Sequence, residues 1–450
     1  MKIVIIGDGK VGATLVERLS DEGHDVTVID RDPRVVESIV NNYDVLGICG
    51  NGATFTVQKE AGVDKARLLI AATSSDELNI MCCMIAKKIG ARHTIARVRN
   101  PEYSKQLHFL KEELGLSMVV NPELEAANEI SRILRFPSAI KIEAFSKGRV
   151  ELAEIKIGEG NPLIDKSVSD IYKNYKVEVL VCVVQRKDEV FIPGGDFVLK
   201  LDDKISITAK RKDLSDFMKQ VGAYKQNIKK TMIIGGGKIG YYLASQLSEL
   251  GFRVKLIEID PQRCLDLSNL LPKVEIVCAD GTDEDILTEQ GIEEQDAVVC
   301  LTDIDEENII TALYASSLDV RKTVTKINRV HSAIFGSIGV ESVISPKNVA
   351  ANRIVRYVRA LQNSEGNSFL TLYNLVEGKV EAVEFHIEHD ADYTEVPFKD
   401  LPLKDNLLVC CLTRNNKLIF PRGDDCMKVG DNVLIVTHNR RIHNLNDILE

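Results

Sequence analysis

The feature that most constrains this chain is that it is written twice. Gly7-Asp8-Gly9-Lys10-Val11-Gly12 recurs as Gly235-Gly236-Gly237-Lys238-Ile239-Gly240, each loop directly after a short apolar run and before a helical stretch. One GxGxxG is a weak signal. Two, with matched positions behind each, require a fold whose unit occurs twice. In 450 residues that leaves room for about two ordinary domains per copy.

Each copy alternates strands and helices before it changes character. Lys2–Ile6, Asp25–Ile29, Asp44–Cys49, Leu68–Ala72, Thr94–Val98 and Met118–Val120 read as strands, with helices such as Gly12–Glu22 and Glu77–Ile89 between them. The second copy repeats this with Thr231–Ile234, Arg253–Ile257, Val274–Cys278, Ala297–Leu301, Thr323–Lys326 and Ser342–Ile344. Strands that alternate with helices at this spacing form a parallel, doubly wound sheet covered on both faces. Asn121-Pro122 and Ser345-Pro346 then place a capping residue before a proline at the first helical position. The helices that follow carry the apolar stripes Leu124, Ala127, Ile130, Leu134 and Val349, Ile354, Val358, Leu361, expected to pack on a neighbouring domain.

A β-rich module follows each of these helices. Lys147-Gly148-Arg149-Val150-Glu151 matches Glu377-Gly378-Lys379-Val380-Glu381 as a hairpin turn. Ile192-Pro193-Gly194-Gly195-Asp196 matches Phe420-Pro421-Arg422-Gly423-Asp424, and Leu201-Asp202-Asp203-Lys204 matches Val429-Gly430-Asp431-Asn432. The expected fold class is α/β, with two tandem Rossmann-like doubly wound parallel sheets, each followed by a small α+β domain. The bounds are 1–121, 122–221, 230–345 and 346–450, with the polar stretch Gly222–Lys230 as linker.

Four features of the first half form a nucleotide constellation. Gly7, Gly9 and Gly12, with Asp8, Lys10 and Val11, supply a turn whose backbone can approach a pyrophosphate at a helix N-terminus. Asp30 ends the second strand, where a carboxylate accepts hydrogen bonds from a ribose diol and repels a 2′-phosphate, favouring NAD or an adenosine nucleotide over NADP. Arg31 beside it is suited to stack on adenine or to meet a phosphate. Asn51-Gly52 lies where an adenine edge would fall, and Thr73-Ser74 follows the fourth strand across the switch point. Arg97, on the next strand, is a candidate phosphate partner. The second half answers with Gly235 to Gly240, Glu258, Asp280-Gly281, Thr302-Asp303 and Lys326, and departs at Ile259, which replaces Arg31. Asp8 sets a negative charge near the expected phosphates, a cost unless Lys10 or Arg97 offsets it. The repeat therefore predicts two similar sites with unequal ligand preference.

Other residues point elsewhere only weakly. Tyr172-Lys173-Asn174-Tyr175-Lys176 has the YxxxK spacing of short-chain reductases but falls in a β-rich module, and is read as chance. His386 and His389, with Asp390 and Asp392, have a loose metal-ligand look. Residues three apart on a strand point to opposite faces, so they read as a solvated strand end, and no metal is expected. Asp303, Asp305, Glu306 and Glu307 read as a helix start favoured by the dipole. Cys49 and Cys278 end equivalent strands and are expected to be small buried hydrophobes; disulfides and zinc are not expected. Net charge is −10 with no Lys/Arg block, which argues against nucleic acid. No apolar run approaches the roughly 18–20 residues a bilayer span needs, and Met1 leads straight into a strand rather than a signal peptide. A cytoplasmic chain is expected, touching a membrane only through a partner.

The paired loops resemble the RCK (KTN) domain family, together with Ala72-Thr73-Ser74-Ser75-Asp76-Glu77-Leu78-Asn79, its echo Leu301-Thr302-Asp303-Ile304-Asp305-Glu306-Glu307-Asn308, and the strand Ala96-Arg97-Val98-Arg99. The Asn121-Pro122-Glu123 turn and the β-rich modules resemble the C-terminal domains attached to RCK domains. The N–C–N–C order over the whole chain is similar to tandem-domain regulators of Trk-type potassium uptake. The resemblance implies a non-enzymatic, peripheral regulatory subunit, a homo-oligomer forming a ring, as a tetramer, beneath a potassium-conducting membrane protein of the Trk/Ktr type. It also implies that NAD(H) or ATP/ADP binds the N-terminal domains and gates the partner by rearranging the ring. It assigns Gly7 to Val11, Asp30, Thr73, Ser74 and Arg97 to the first site, and Gly235 to Ile239, Glu258, Asp280, Thr302 and Lys326 to the second. The alternatives are an NAD-dependent oxidoreductase, for which no convincing catalytic constellation is present, and a regulator of potassium efflux or antiport.

Overall fold

The computed structural model describes residues 1–103, 106, 111, 113–135, 141–145, 150–175, 177–222, 228–329, 340, 342–363, 369–376, 379–415, 417–438, 442 and 444–449. The expected hairpin turns at 147–149 and 377–378, and Lys176 of the YxxxK spacing, lie outside these residues.

The first parallel sheet comprises β1 (Lys2–Ile6), β2 (Asp25–Asp30), β3 (Leu46–Cys49), β4 (Leu68–Ala71), β5 (His93–Arg97) and β6 (Met118–Val120), in the order β3-β2-β1-β4-β5-β6. The order reverses between β1 and β4, and the crevice beyond the strand ends at such a point is where doubly wound sheets bind ligands. β7 (Lys141–Phe145), β8 (Val150–Lys156), β9 (Val179–Arg186), β10 (Glu189–Phe191) and β11 (Lys204–Lys210) form an antiparallel sheet ordered β10-β9-β11-β8-β7.

The second copy repeats both sheets. β12 (Lys230–Ile234), β13 (Arg253–Glu258), β14 (Glu275–Cys278), β15 (Ala297–Cys300), β16 (Lys322–Lys326) and β17 (Val343–Ile344) are ordered β14-β13-β12-β15-β16-β17. β18 (Phe369–Leu375), β19 (Val380–His386), β20 (Leu407–Arg414), β21 (Lys417–Ile419) and β22 (Asn432–Thr437) are ordered β18-β19-β22-β20-β21, the first antiparallel order read from the other edge.

The chain divides into two compact units. Met1–Ser131 with Lys229–Val355 holds both parallel sheets, and Arg132–Ile228 with Arg356–Glu450 holds both antiparallel sheets. Within the first unit, the helix opening each half meets the helix that follows the opposite sheet. Arg18 on Lys10–Asp21 donates to Asn352 and Asn348 on Pro346–Asn363, while Gln246 on Lys238–Glu249 donates to Asn128 on Pro122–Arg135. Tyr242 of the second half donates to the Arg99 carbonyl and receives from Asn121, the residue that caps Pro122–Arg135 through Leu124 N–H. The stripe positions Ala127, Ile130 and Leu134, and Ile354, Val358 and Leu361, are buried.

Within the second unit, Leu152, Cys182 and Val183 share one apolar cluster with Val380, Ala382, Cys410 and Leu434, so the two antiparallel sheets form a joint core. Cys182 and Cys410, which occupy equivalent positions, lie 3.4 Å apart sulfur to sulfur, and all ten cysteines are free thiols. The repeated Asp203 and Asp431 are fully buried, each held by two bonds from an arginine, Arg186 and Arg414, and by one backbone N–H. Among the described residues no helix is long and apolar enough to cross a membrane.

Cys49 and Cys278 are exposed, contrary to the sequence expectation. Both end strands at the sheet edge, β3 and β14, where Leu46 is also 62% exposed. An edge strand is covered on fewer sides than a central one, so the apolar character of a run does not ensure its burial there.

Candidate functional site

The loops after β1 and β12 open onto one cavity of about 1180 Å³, lined by both halves of the first unit. Of the residues assigned to the two nucleotide sites from the sequence, all but Gly12, Gly236 and Gly240 line it. Those three serve the loop from behind. A Cβ on Gly12 would strike the Gly7 carbonyl oxygen, one on Gly240 the Gly235 carbonyl oxygen, and one on Gly236 the side chains of Leu267 and Glu258. Gly7 and Gly235 have φ of +89° and +104°, a turn that side-chain-bearing residues rarely adopt. Gly9 and Gly237 differ from all of these. They lie in ordinary extended backbone (φ −69° and −61°), and a Cβ there would meet nothing within 4 Å. The middle glycine of each loop thus leaves open space in front of a helix N-terminus, where an anionic group is favoured.

The carboxylates at the tips of β2 and β13 tie down the loops. Asp30 accepts from the backbone N–H of Asp8 at 2.8 Å and of Asp32 at 3.0 Å; Glu258 accepts from Gly236 at 2.7 Å and Asp260 at 3.0 Å. Asn51 accepts from Arg31 at 2.7 Å and from Ala53 N–H, whereas Asp280 is engaged by the N–H and hydroxyl of Thr282. Gly52 and Gly281 pack on Ile6 and Ile234, which holds these turns against the first strand of each sheet.

At the tips of β4 and β15 two residues that the sequence reading did not assign to the site do the organising. Asn79 and Asn308 are fully buried. Each accepts from the N–H of the threonine, Thr73 or Thr302, and donates to that threonine's carbonyl and to the carbonyl of Arg97 or Lys326. One amide thus clamps adjacent strand tips in each half. Their recurrence within the repeated segment was the available signal. Arg99, Glu123 and Lys347 also line the cavity without having been anticipated.

The electrostatics of the halves diverge. Burial and the neighbouring Asp30 carboxylate push the Asp8 carboxyl up to about 6, and its Oδ1 is buried without a hydrogen-bond partner. Burial, with Arg99 next, lowers the Arg97 guanidinium, and its Nε is likewise buried and unpartnered. Lys326 is partnered, with its ammonium 2.8 Å from Asp303 Oδ1 and 3.4 Å from the Leu301 carbonyl. Asp305, Glu306 and Glu307 stand in the first turn of the helix, as expected, and only Asp303 falls outside it. The helix begins at Asp305, whose carboxylate is buried and receives the N–H groups of Asn328 and Arg329, while Asp303 stands ahead of it at the cavity.

Residues 3–122 and 231–346 match the TrkA-N domain model, and 152–222 match the TrkA-C domain model, together more than half of the chain. The chain belongs to the TrkA family. A Trk system potassium uptake protein TrkA homolog of Archaeoglobus fulgidus is 32% identical over 450 residues, covering all of both chains. The Trk system potassium uptake protein TrkA of Halomonas elongata is 28% identical, covering 100% of this chain and 99% of the relative. Among solved structures, the GsuK RCK domain superposes with a TM-score of 0.64 at 18% identity, covering 97% of this chain and 92% of that one. The GsuK channel bound to NAD gives 0.65 at 17% identity, covering 99% and 78%. At these identities the likeness concerns the fold: the TrkA architecture here is an RCK architecture.

Proposed function

We propose that this TrkA-family chain is the regulatory subunit of a potassium uptake system, and that its shared cavity binds adenine nucleotides, NAD(H) or ATP/ADP, to set the state of a potassium-conducting membrane partner. The observation that carries the reading is the cavity itself. Both glycine loops face it, Gly9 and Gly237 leave space for phosphate, and Arg97 offers a buried donor with no internal partner. The names of the full-length relatives support the potassium system, and the NAD-bound neighbour supports the ligand class. Family membership makes the chain a regulator rather than an enzyme.

The mechanism is a population shift. A ligand between loop and strand tips favours one arrangement of the paired halves, by no more than its difference in affinity for the two arrangements. Several copies, assembled as a tetrameric ring on the cytoplasmic face of the membrane, sum that bias and pass it to the partner. Attachment is through the partner alone.

Gly9→Asp and Gly237→Asp test the reading. Both positions tolerate a side chain in the free protein, so each variant fills ligand space without disturbing the loop. Calorimetry with NADH and ATP, together with potassium flux through the co-reconstituted partner, should show loss of binding and of nucleotide response in the double variant. An unchanged response there would falsify the proposal.

A further inference from the structure

The halves differ in what faces the cation at the tip of the fifth strand. In the first half the equivalent position is Ser74, which lines the same cavity, and Arg97 keeps an unpartnered buried Nε. In the second half an aspartate, Asp303, takes the place of Ser74 and holds the Lys326 ammonium at 2.8 Å. The Lys326 side chain is only 8% exposed, whereas that of Asp303 is fully exposed to the cavity. A buried ammonium is costly without an anion, so Lys326 will be partnered, but the partner is exchangeable because Asp303 is held by nothing else that the structure shows. A ligand phosphate reaching Lys326 must first displace that carboxylate.

Resting on the nucleotide reading above, we infer that Asp303 is a built-in anion that makes the second site discriminate against polyphosphates: the first site takes a nucleotide with an extended phosphate tail, the second one whose phosphate stays on the glycine loop, such as a nucleoside monophosphate. Lys326 held by Asp303 contributes nothing to a tail, and the carboxylate, once displaced from the ammonium, repels one. The loop itself is untouched, so binding of a single phosphate at Gly237 is unaffected. The same carboxylate is lowered by Lys326 first and, more weakly, by Lys10 of the first loop, which places it in the field of both sites.

The test uses the full chain with Gly9→Asp to silence the first site, titrated with ATP and with AMP. In that background the second site should bind ATP no more tightly than AMP. Adding Asp303→Ser, or Asp303→Asn as a same-size control, should tighten ATP about two- to fivefold, the scale of an ion pair with an exposed partner, and leave AMP unchanged. A simple structural role would move both ligands together. A second site that prefers ATP while Asp303 is intact overturns the inference, as does one whose ATP affinity ignores both substitutions or one that binds neither ligand in any of these variants while the parent chain binds ATP. If the parent chain itself binds neither ligand, the nucleotide reading falls and this inference with it.

Discussion

The first and second halves have the same frame and different charges. In both, a positive-φ glycine begins the loop, a second glycine packs under it, a carboxylate at the next strand tip receives the loop N–H, and a buried asparagine ties two strand tips together. Around that frame Asp8, Arg31, Ser74 and Arg97 in the first half face Gly236, Ile259, Asp303 and Lys326 in the second. A duplicated binding unit has to keep the geometry that shapes the turn, but its charges are free to drift. Most of these exchanged side chains reach the cavity.

The largest effect should come from attacking the frame, and it should be alike in both halves. Gly12→Ala and Gly240→Ala each drive a methyl into the carbonyl of the loop's first glycine, a backbone atom that cannot swing aside. Overpacking of this kind costs about 1–3 kcal/mol or more. Thermal melts of both variants should show comparable losses. A large drop for one and none for the other would break the equivalence of the two loops.

A charge in only one half gives an intermediate effect. Asp8 has no counterpart in the second loop, and its carboxyl sits at about 6, raised first by burial and then by Asp30. The sign follows from the raised value. Protonated Asp8 favours the folded site, an advantage present at acid pH and lost as pH rises through about 6. An arriving phosphate raises the carboxyl further, so nucleotide binding at the first site should tighten as pH falls from neutral toward about 6 and level off below it. One proton allows at most about tenfold per pH unit. Calorimetry across that range in the Gly237→Asp background should show the slope, and Asp8→Asn should abolish it. A slope that survives Asp8→Asn assigns the proton to another group.

The frame was legible in the sequence because glycine loops, β-branched runs and capped prolines carry their geometry locally. Both sheets appear with the expected strands, shifted by a residue or two at their ends: β3 starts at Leu46 rather than Asp44, and β12 at Lys230 rather than Thr231. What depends on packing between distant segments was not legible. That both loops open on one cavity follows from how Lys10–Asp21 and Lys238–Glu249 dock on the opposite helices, which periodicity alone does not specify. Asn79 and Asn308 stood in the sequence only as the ends of two matching segments, since an amide shows its use only once three backbone groups converge on it. The run at 303–307 looked like one acidic helix start, yet its side chains diverge, with Asp303 toward Lys326 and Asp305 toward two backbone N–H groups.

The smallest effect should come from Arg31 and Ile259, because both are exposed at the cavity rim. Arg31 donates to Asn51 at 2.7 Å, which sets the guanidinium over the region where an adenine edge would lie. Ile259 offers apolar contact there and no charge. A guanidinium on an aromatic face is worth about 0.5–1 kcal/mol at an exposed site, so Arg31→Ile should weaken adenine nucleotides at the first site only a few-fold. Ile259→Arg should strengthen them at the second by a similar factor. Exchanging the pair tests whether the rim sets base affinity independently of the phosphate end. Read by competition between ATP and inorganic triphosphate, the exchange should move ATP and leave triphosphate where it was. If triphosphate shifts as well, Arg31 acts on phosphate rather than on the base, and the charge difference between the halves extends from the strand tips to the rim.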